Sequence, residues 1–313
     1  MAPIGRLAFL GTGTFAVPLL RRLPELADEL LVISTPDRPA GRGLNPRPSP
    51  VAEAARAHEL NLATPERLRS DEGRAVLNDF KPDGLLLASY GQLVPRELLE
   101  AGARPALNVH PSLLPRHRGA TPVAATILAG DVVAGVTLMV MTPQLDAGPI
   151  VSQWPVALEG RETTPELQRR LAQLAADEVP AELLRWADGD LATIPQDESA
   201  ATAAPSFRRE DGWIDWRRAA TVIDRQVRAL QPWPGAWTTL DGRRLHVRRA
   251  RPVAGVSGVP VGSVLPGEPP RVAAGSGALE LEVVQPEGRP AMPANDWRRG
   301  QRDHLMLGTS APD

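Results

Sequence analysis

RLAFLGTGTFA, residues 6–16, decides how this chain is read. The run 6–10 has the character of a buried strand that stops at Gly11. From about Thr14, an N-cap by residue type, the residues favour a helix, with Pro18 tolerable only in its first turn. Strand, tight turn and helix in that order open an α/β domain. The pattern repeats outward. Strands are expected at 30–35, 84–89, 106–110 and 136–141, and helices at 51–60, 71–80, 95–101 and 165–186, the last capped at Thr163 or Thr164. The alternation predicts a doubly wound, mostly parallel sheet with ligand loops at the C-terminal ends of its strands.

Residues 189–206 are small, polar and aperiodic and read as a linker, so the expected domains are 1–188 and 207–313. Beyond the linker come one helix, 219–230, and short β-like runs at 236–240, 245–250, 261–265, 272–274 and 279–284, with a turn at Asp241-Gly242. Short strands between Gly/Pro turns suggest a small β-barrel.

Composition narrows the chemistry. No cysteine is present, which excludes disulfides, thiolate nucleophiles and cysteine zinc sites. Lys81 is the only lysine, so there is no Gly-Lys-Ser/Thr loop for ATP phosphates. Apolar residues make up 42% without a run long enough for a membrane span, and the first residues lack a signal-peptide pattern; a soluble, cytoplasmic protein is expected. The formal net charge is −2, but residues 1–206 carry −6 and residues 207–313 carry +4. Such asymmetry can mark a nucleic-acid-facing half.

Asn108-Val109-His110 ends an expected strand, so Asn108 and His110 share one face. Pro111, Pro115 and Pro122 stiffen the loop that follows. Asp146 follows the next strand and, with an ordinary connection, would reach the same edge of the sheet and favour a protonated His110. The same residues also fit a structural histidine and an Asx-type turn. Gly11, Gly13 and Ala16 match a dinucleotide fingerprint, but the acid it needs could only be Asp37, within a Pro/Gly/Arg loop; the turn is assigned to helix packing. A nucleotide-binding module without catalysis would use that turn.

NVHPSLLPRHRGATP (108–122), VTLMVMTPQLDAGPIV (136–151), FLGTGTFAVPLL (9–20), PDRPAGRG (36–43) with PSPV (48–51), and SYGQLVP (89–95) resemble, in order and spacing, the folate-dependent formyltransferases. SFRREDGWIDWRRAATVIDRQVRALQPWPGAW (206–237) and QPEGRPAMPANDWRRGQR (285–302) extend the resemblance to the tRNA-modifying branch of that family. Two departures stand out: Gly13, where relatives usually carry Pro, and Leu44-Asn45, where many carry a lysine pair.

The resemblance implies a Rossmann-like formyltransferase domain followed by an OB-like barrel. It implies formyl transfer from 10-formyltetrahydrofolate to the α-amine of initiator methionyl-tRNA, without a metal, membrane or obligatory protein partner. A formyltransferase or hydrolase acting on a small amine or water is the alternative. Asn108, His110 and Asp146 are the expected catalytic residues. Tyr90, Gly91, Gln92, Leu93, Val94, Pro115, Met141 and Gln144 are expected around the folate, with Ser112, Leu113 and Leu114 lining its entrance. Arg38, Arg42 and Arg47 in the 36–50 loop, and Arg244 and Arg248 on the barrel, are expected against tRNA.

Overall fold

In the computed structural model, residues 4–40, 45–100, 102–255, 258–301 and 304–308 are described; Arg42 and Leu44 lie outside them. The described chain divides into two compact units. One holds the residues up to Pro122 with 133–157 and 168–204; the other holds 123–132, 158–167 and the residues from Pro205 on.

The first unit is built on seven strands: β1 (Ile4–Gly11), β2 (Ala27–Ile33), β3 (Asn61–Ala63), β4 (Gly84–Ala88), β5 (Leu107–His110), β6 (Val133–Val140) and β7 (Ile150–Ala157). Their order across the sheet is β7-β6-β5-β4-β1-β2-β3. Neighbours from β5 to β3 are parallel, while β6 runs antiparallel to both β5 and β7. Strand order reverses between β1 and β4, the place where open α/β sheets form a crevice. The central strands are apolar on both faces because helices cover both; Leu7–Leu10 and Leu85–Leu87 are almost fully buried. Helices Pro50–Ala57 and Asp71–Phe80 begin at Ser49 and Ser70, whose hydroxyls accept from the amides of Ala52 and Gly73. Gly84 lies under Trp186, so close that an added Cβ would enter the indole ring.

Several local expectations change. Thr14 does not cap a long helix; a 3-10 turn, Thr14–Ala16, runs into a four-residue helix, Val17–Leu20. β3 and β7 were not expected. β3 has three residues, and β7 alternates half-buried and exposed positions at the sheet edge, so neither carries an apolar run. Residues 194–204, inside the stretch whose composition suggests a linker, are hydrogen-bonded along the first unit.

The second unit centres on a curled antiparallel sheet, consistent with an OB-like half-barrel. Its strands lie in the order Ala236–Leu240, Arg243–Val253, Ala278–Pro286, Arg271–Ala273, Val264–Leu265, with Met292–Pro293 added against Ala278–Pro286. Asp241 and Gly242 both take positive φ, 49° and 75°, as the two-residue hairpin turn requires. Trp216, Ile223, Val227, Leu279, Leu281 and Trp297 fill its core.

Candidate active site

β5 carries the centre. Val109 is buried on one face, while Asn108 and His110 project from the other by strand alternation. Asn108 is half-buried, and no hydrogen bond to its side chain is found among the described residues. His110 is buried, and its Nε2 lies 3.0 Å from the His117 carbonyl oxygen. A carbonyl only accepts, so Nε2 carries a hydrogen and Nδ1 is the titrating atom. Nδ1 faces Asp146 Oδ2 at 3.7 Å, an electrostatic pairing beyond hydrogen-bond length.

Burial pulls His110 below its ordinary value of 6.5, against the upward pull of Asp146 and of the His117 carbonyl. Asp146 does reach His110 at the end of β5, but not by an ordinary parallel connection. β6 is antiparallel, so its exit meets the start of β5, with the Met141 amide donating to the Ala106 carbonyl. The loop 141–149 folds back to bring Asp146 to His110. Asp146 takes φ 51°, a left-handed conformation that Asp tolerates better than most residues.

Three lateral attachments hold this arrangement. The Gly119 amide donates to Asp146 Oδ2 at 2.8 Å. Gln196 Nε2 donates to the carbonyls of Asp146 and Gly148, at 2.8 and 2.7 Å, while its Oε1 accepts from Arg118 Nε and Nη2. The Thr202 hydroxyl accepts from the His117 amide at 2.9 Å, and Ala203-Ala204 pair in parallel with Arg118-Gly119. Gly119 has φ 126°, and an added Cβ would sit 2.6 Å from the Ala204 carbonyl oxygen, so only glycine fits this crossing. Sequence reasoning missed Gln196, Arg118 and Thr202; a lone polar residue in an aperiodic stretch carries no signal of its partner.

Of the folate candidates, Tyr90, Val94 and Met141 come together against one apolar cluster that includes Leu87, Leu98 and Ala106. The Tyr90 hydroxyl is buried without a hydrogen-bond partner, and burial pushes it up to about 12. Gly91, Leu93 and Gln144 are exposed nearby in sequence. Gln92 is engaged elsewhere, accepting from the Leu68 amide at 2.8 Å. In the loop 112–115, Ser112 and Leu114 are buried; the Ser112 hydroxyl donates to the Arg116 carbonyl, and Leu113 packs over Gly135. Thr137 and Gln153 anchor this loop from β6 and β7, and Pro115 is half-buried. The amides of Thr12 and Gly13 both donate to the Ser89 carbonyl, at 3.1 and 3.2 Å, so these two amides of the G-x-G turn are used internally.

Arg38 and Arg47 stand opposite each other where Arg38–Ala40 and Asn45–Arg47 pair as a two-stranded ribbon; Arg38 reaches Glu66 at 3.1 Å. Arg244 and Arg248 line a cleft of about 230 Å³ in the second unit, together with Arg209, His246, Gln285 and Glu287. Arg244 lies 4.0 Å over the Trp237 ring. His246 Nδ1 is buried without a partner, and burial together with Arg248, Arg244 and Arg209 drives this histidine down to about 4. Arg209 and His246 join the cleft only through the fold.

The formyl transferase family model matches residues 5–183, and the model of the formyl transferase C-terminal domain matches 207–302. The methionyl-tRNA formyltransferase of Solibacter usitatus is 42% identical over 298 residues, covering 95% of this chain and 96% of that protein. Among solved structures, WlaRD, a sugar 3N-formyl transferase, superimposes with a TM-score of 0.66 at 13% identity, over 92% of this chain and all of that one. HypX from Aquifex aeolicus in complex with tetrahydrofolic acid gives a TM-score of 0.62 at 18% identity over 96% of this chain, which spans 50% of that longer protein. No helix among the described residues is long and apolar enough to cross a membrane. With both modules matched in order and the likeness running through nearly the whole length, the chain belongs to the methionyl-tRNA formyltransferase family.

Proposed function

We infer that the chain moves the formyl group of 10-formyltetrahydrofolate onto the α-amine of initiator methionyl-tRNA. The observation that carries this reading is 42% identity to a methionyl-tRNA formyltransferase over 95% of the chain, both modules included. An arginine-lined cleft in the second unit supports a polyanionic acceptor over a small amine.

The bond that forms joins the methionyl nitrogen to the formyl carbon; the bond that breaks joins that carbon to N10 of the folate. Asn108 donates to the formyl oxygen as it gains charge, a contribution on the order of 10²–10³ in rate for one preset donor. His110 Nδ1, whose protonation burial disfavours, accepts the amine proton as the carbon–nitrogen bond forms. Asp146, 3.7 Å away, stabilises the imidazolium, which returns a proton to N10 as it leaves. No acyl-enzyme is required, since the chain has no cysteine and no Gly-x-Ser-x-Gly elbow. Tyr90, Val94 and Met141 form the apolar wall for the pterin ring, and the unpartnered Tyr90 hydroxyl is a polar contact for it. Arg209, Arg244 and Arg248 take backbone phosphates, and Arg38, Arg42 and Arg47 approach the acceptor stem.

The test is direct: incubation of pure protein with formyl-folate and charged initiator or elongator methionyl-tRNA, followed by detection of formyl-methionine. Formyl-methionine formed on the initiator tRNA is the expected result. Release of formate without acyl-tRNA formylation overturns the reading in favour of a hydrolase.

A further inference from the structure

The two groups that orient the His110 ring are the His117 carbonyl and the Asp146 carboxylate. Both belong to loops, and one stretch of chain, 196–204, fastens both. Within 141–149, Asp146 is in a left-handed conformation, and the loop's own contacts near it are long, such as the Ala147 amide to the Gln144 carbonyl at 3.5 Å. Its restraint comes from outside, through Gln196 and the Gly119 amide. The Gln196 amide is saturated: two hydrogens to two carbonyls and two acceptor positions to Arg118. Arg118 is itself fixed by Glu198, at 2.9 and 2.8 Å, charge-assisted bonds that also raise its pKa. On the other side, Thr202 accepts from the His117 amide, and its carbonyl accepts from the Arg118 amide.

We propose that Gln196 is a positioning residue for the reaction: by clamping the Asp146 and Gly148 carbonyls against Arg118 it sets the distance between the Asp146 carboxylate and His110 Nδ1. The stretch that composition assigns to a linker is thus a strap that completes the centre. This rests on reading His110 and Asp146 as the reacting pair, and the experiment separates the two ideas.

Gln196→Met in the full chain keeps length and neutrality but cannot donate. Misplacing a reacting group by about 1 Å costs on the order of 10²-fold, so kcat should fall by about 10- to 100-fold, with KM for formyl-folate and for tRNA changing less than about threefold. The titratable groups facing His110 are Asp146 and His117, and Asp146 pulls its pKa upward. Loosening the carboxylate should therefore move the His110 titration, followed by imidazole proton NMR, to lower pH. Wild-type kcat, or a fallen kcat with an unmoved His110 titration, overturns the proposal. If Gln196→Met does not fold, Gln196→Glu retains the contact with Arg118 but cannot donate to the two carbonyls; it must lose kcat likewise, and full activity overturns the proposal. His110→Ala and Asp146→Asn are measured alongside. If these are active, the assignment of the centre fails; if they are inactive while Gln196→Met behaves as wild type, only the strap's role fails.

Discussion

The centre at His110 and the cleft at Arg248 both withdraw basic groups from water, and burial lowers the pKa of both residues, yet their surroundings differ. Around His110 the polar groups are answered from within: Nε2 by a carbonyl, Asp146 by an amide, and Arg118 by Gln196 and Glu198. Around His246 three arginines and one carboxylate, Glu287, line the cleft; Arg248 is met by the neutral Gln285 and Arg244 by the Trp237 ring, and a buried histidine nitrogen has no partner. A reacting group must be held in place before its substrate arrives, because reorganisation during the reaction adds to the barrier. A docking surface for a polyanion works the other way. Its charges are left for the ligand to answer, which makes binding strong and salt-dependent.

The sharpest test of this contrast is kinetic. His110→Ala and Asp146→Asn should lower kcat by on the order of 10²–10⁴, the range for removing a positioned acid–base group, with folate binding and the melting temperature little changed. Asn108→Ala should lose less. Equal losses in kcat and folate affinity would show that the trio binds the ground state.

Replacing Arg244 and Arg248 with glutamine should do the opposite, raising KM for tRNA and leaving kcat near wild type. Each lost phosphate contact should reduce the slope of log affinity against log salt by about 1. An unchanged salt slope would remove the cleft from RNA binding.

The smallest effect is on pH. The folded value of His246, about 4, lies below the ordinary 6.5, so between these values the unfolded chain binds more protons and stability falls as pH falls. His246→Gln should flatten the loss of melting temperature between about pH 6.5 and 4, because only that histidine's share is removed. A phosphate in the cleft should favour the protonated ring, so RNA binding should tighten on acidification in wild type more than in the variant. Identical pH dependence in the two proteins would mean that the ring is already solvated or paired.

Asn108, His110 and the β4–β5 framework were legible because alternation and apolar runs are local properties that a strand imposes on its own residues. The downward pull of burial on His110 was not, since the depth of burial depends on everything packed above β5. The burial of Ser112 and Leu114 was not legible either, because Thr137 and Gln153, which anchor their backbone, come from distant strands.

By itself, then, the sequence determined the strand–helix alternation, the separate β-rich second half, the residue types available for catalysis and the family. These follow from periodicity, turn chemistry and composition, which act between near neighbours. Only the tertiary structure decided that β6 reverses direction, that Asp146 returns to His110 by a loop, that Gln196 and Thr202 fasten that centre, and that Arg209 and His246 join Arg244 and Arg248 in one cleft. The physical reason is the same in each case: a hydrogen bond or charge contact between residues tens of positions apart leaves no period in the chain and exists only once the backbone has brought its two ends together.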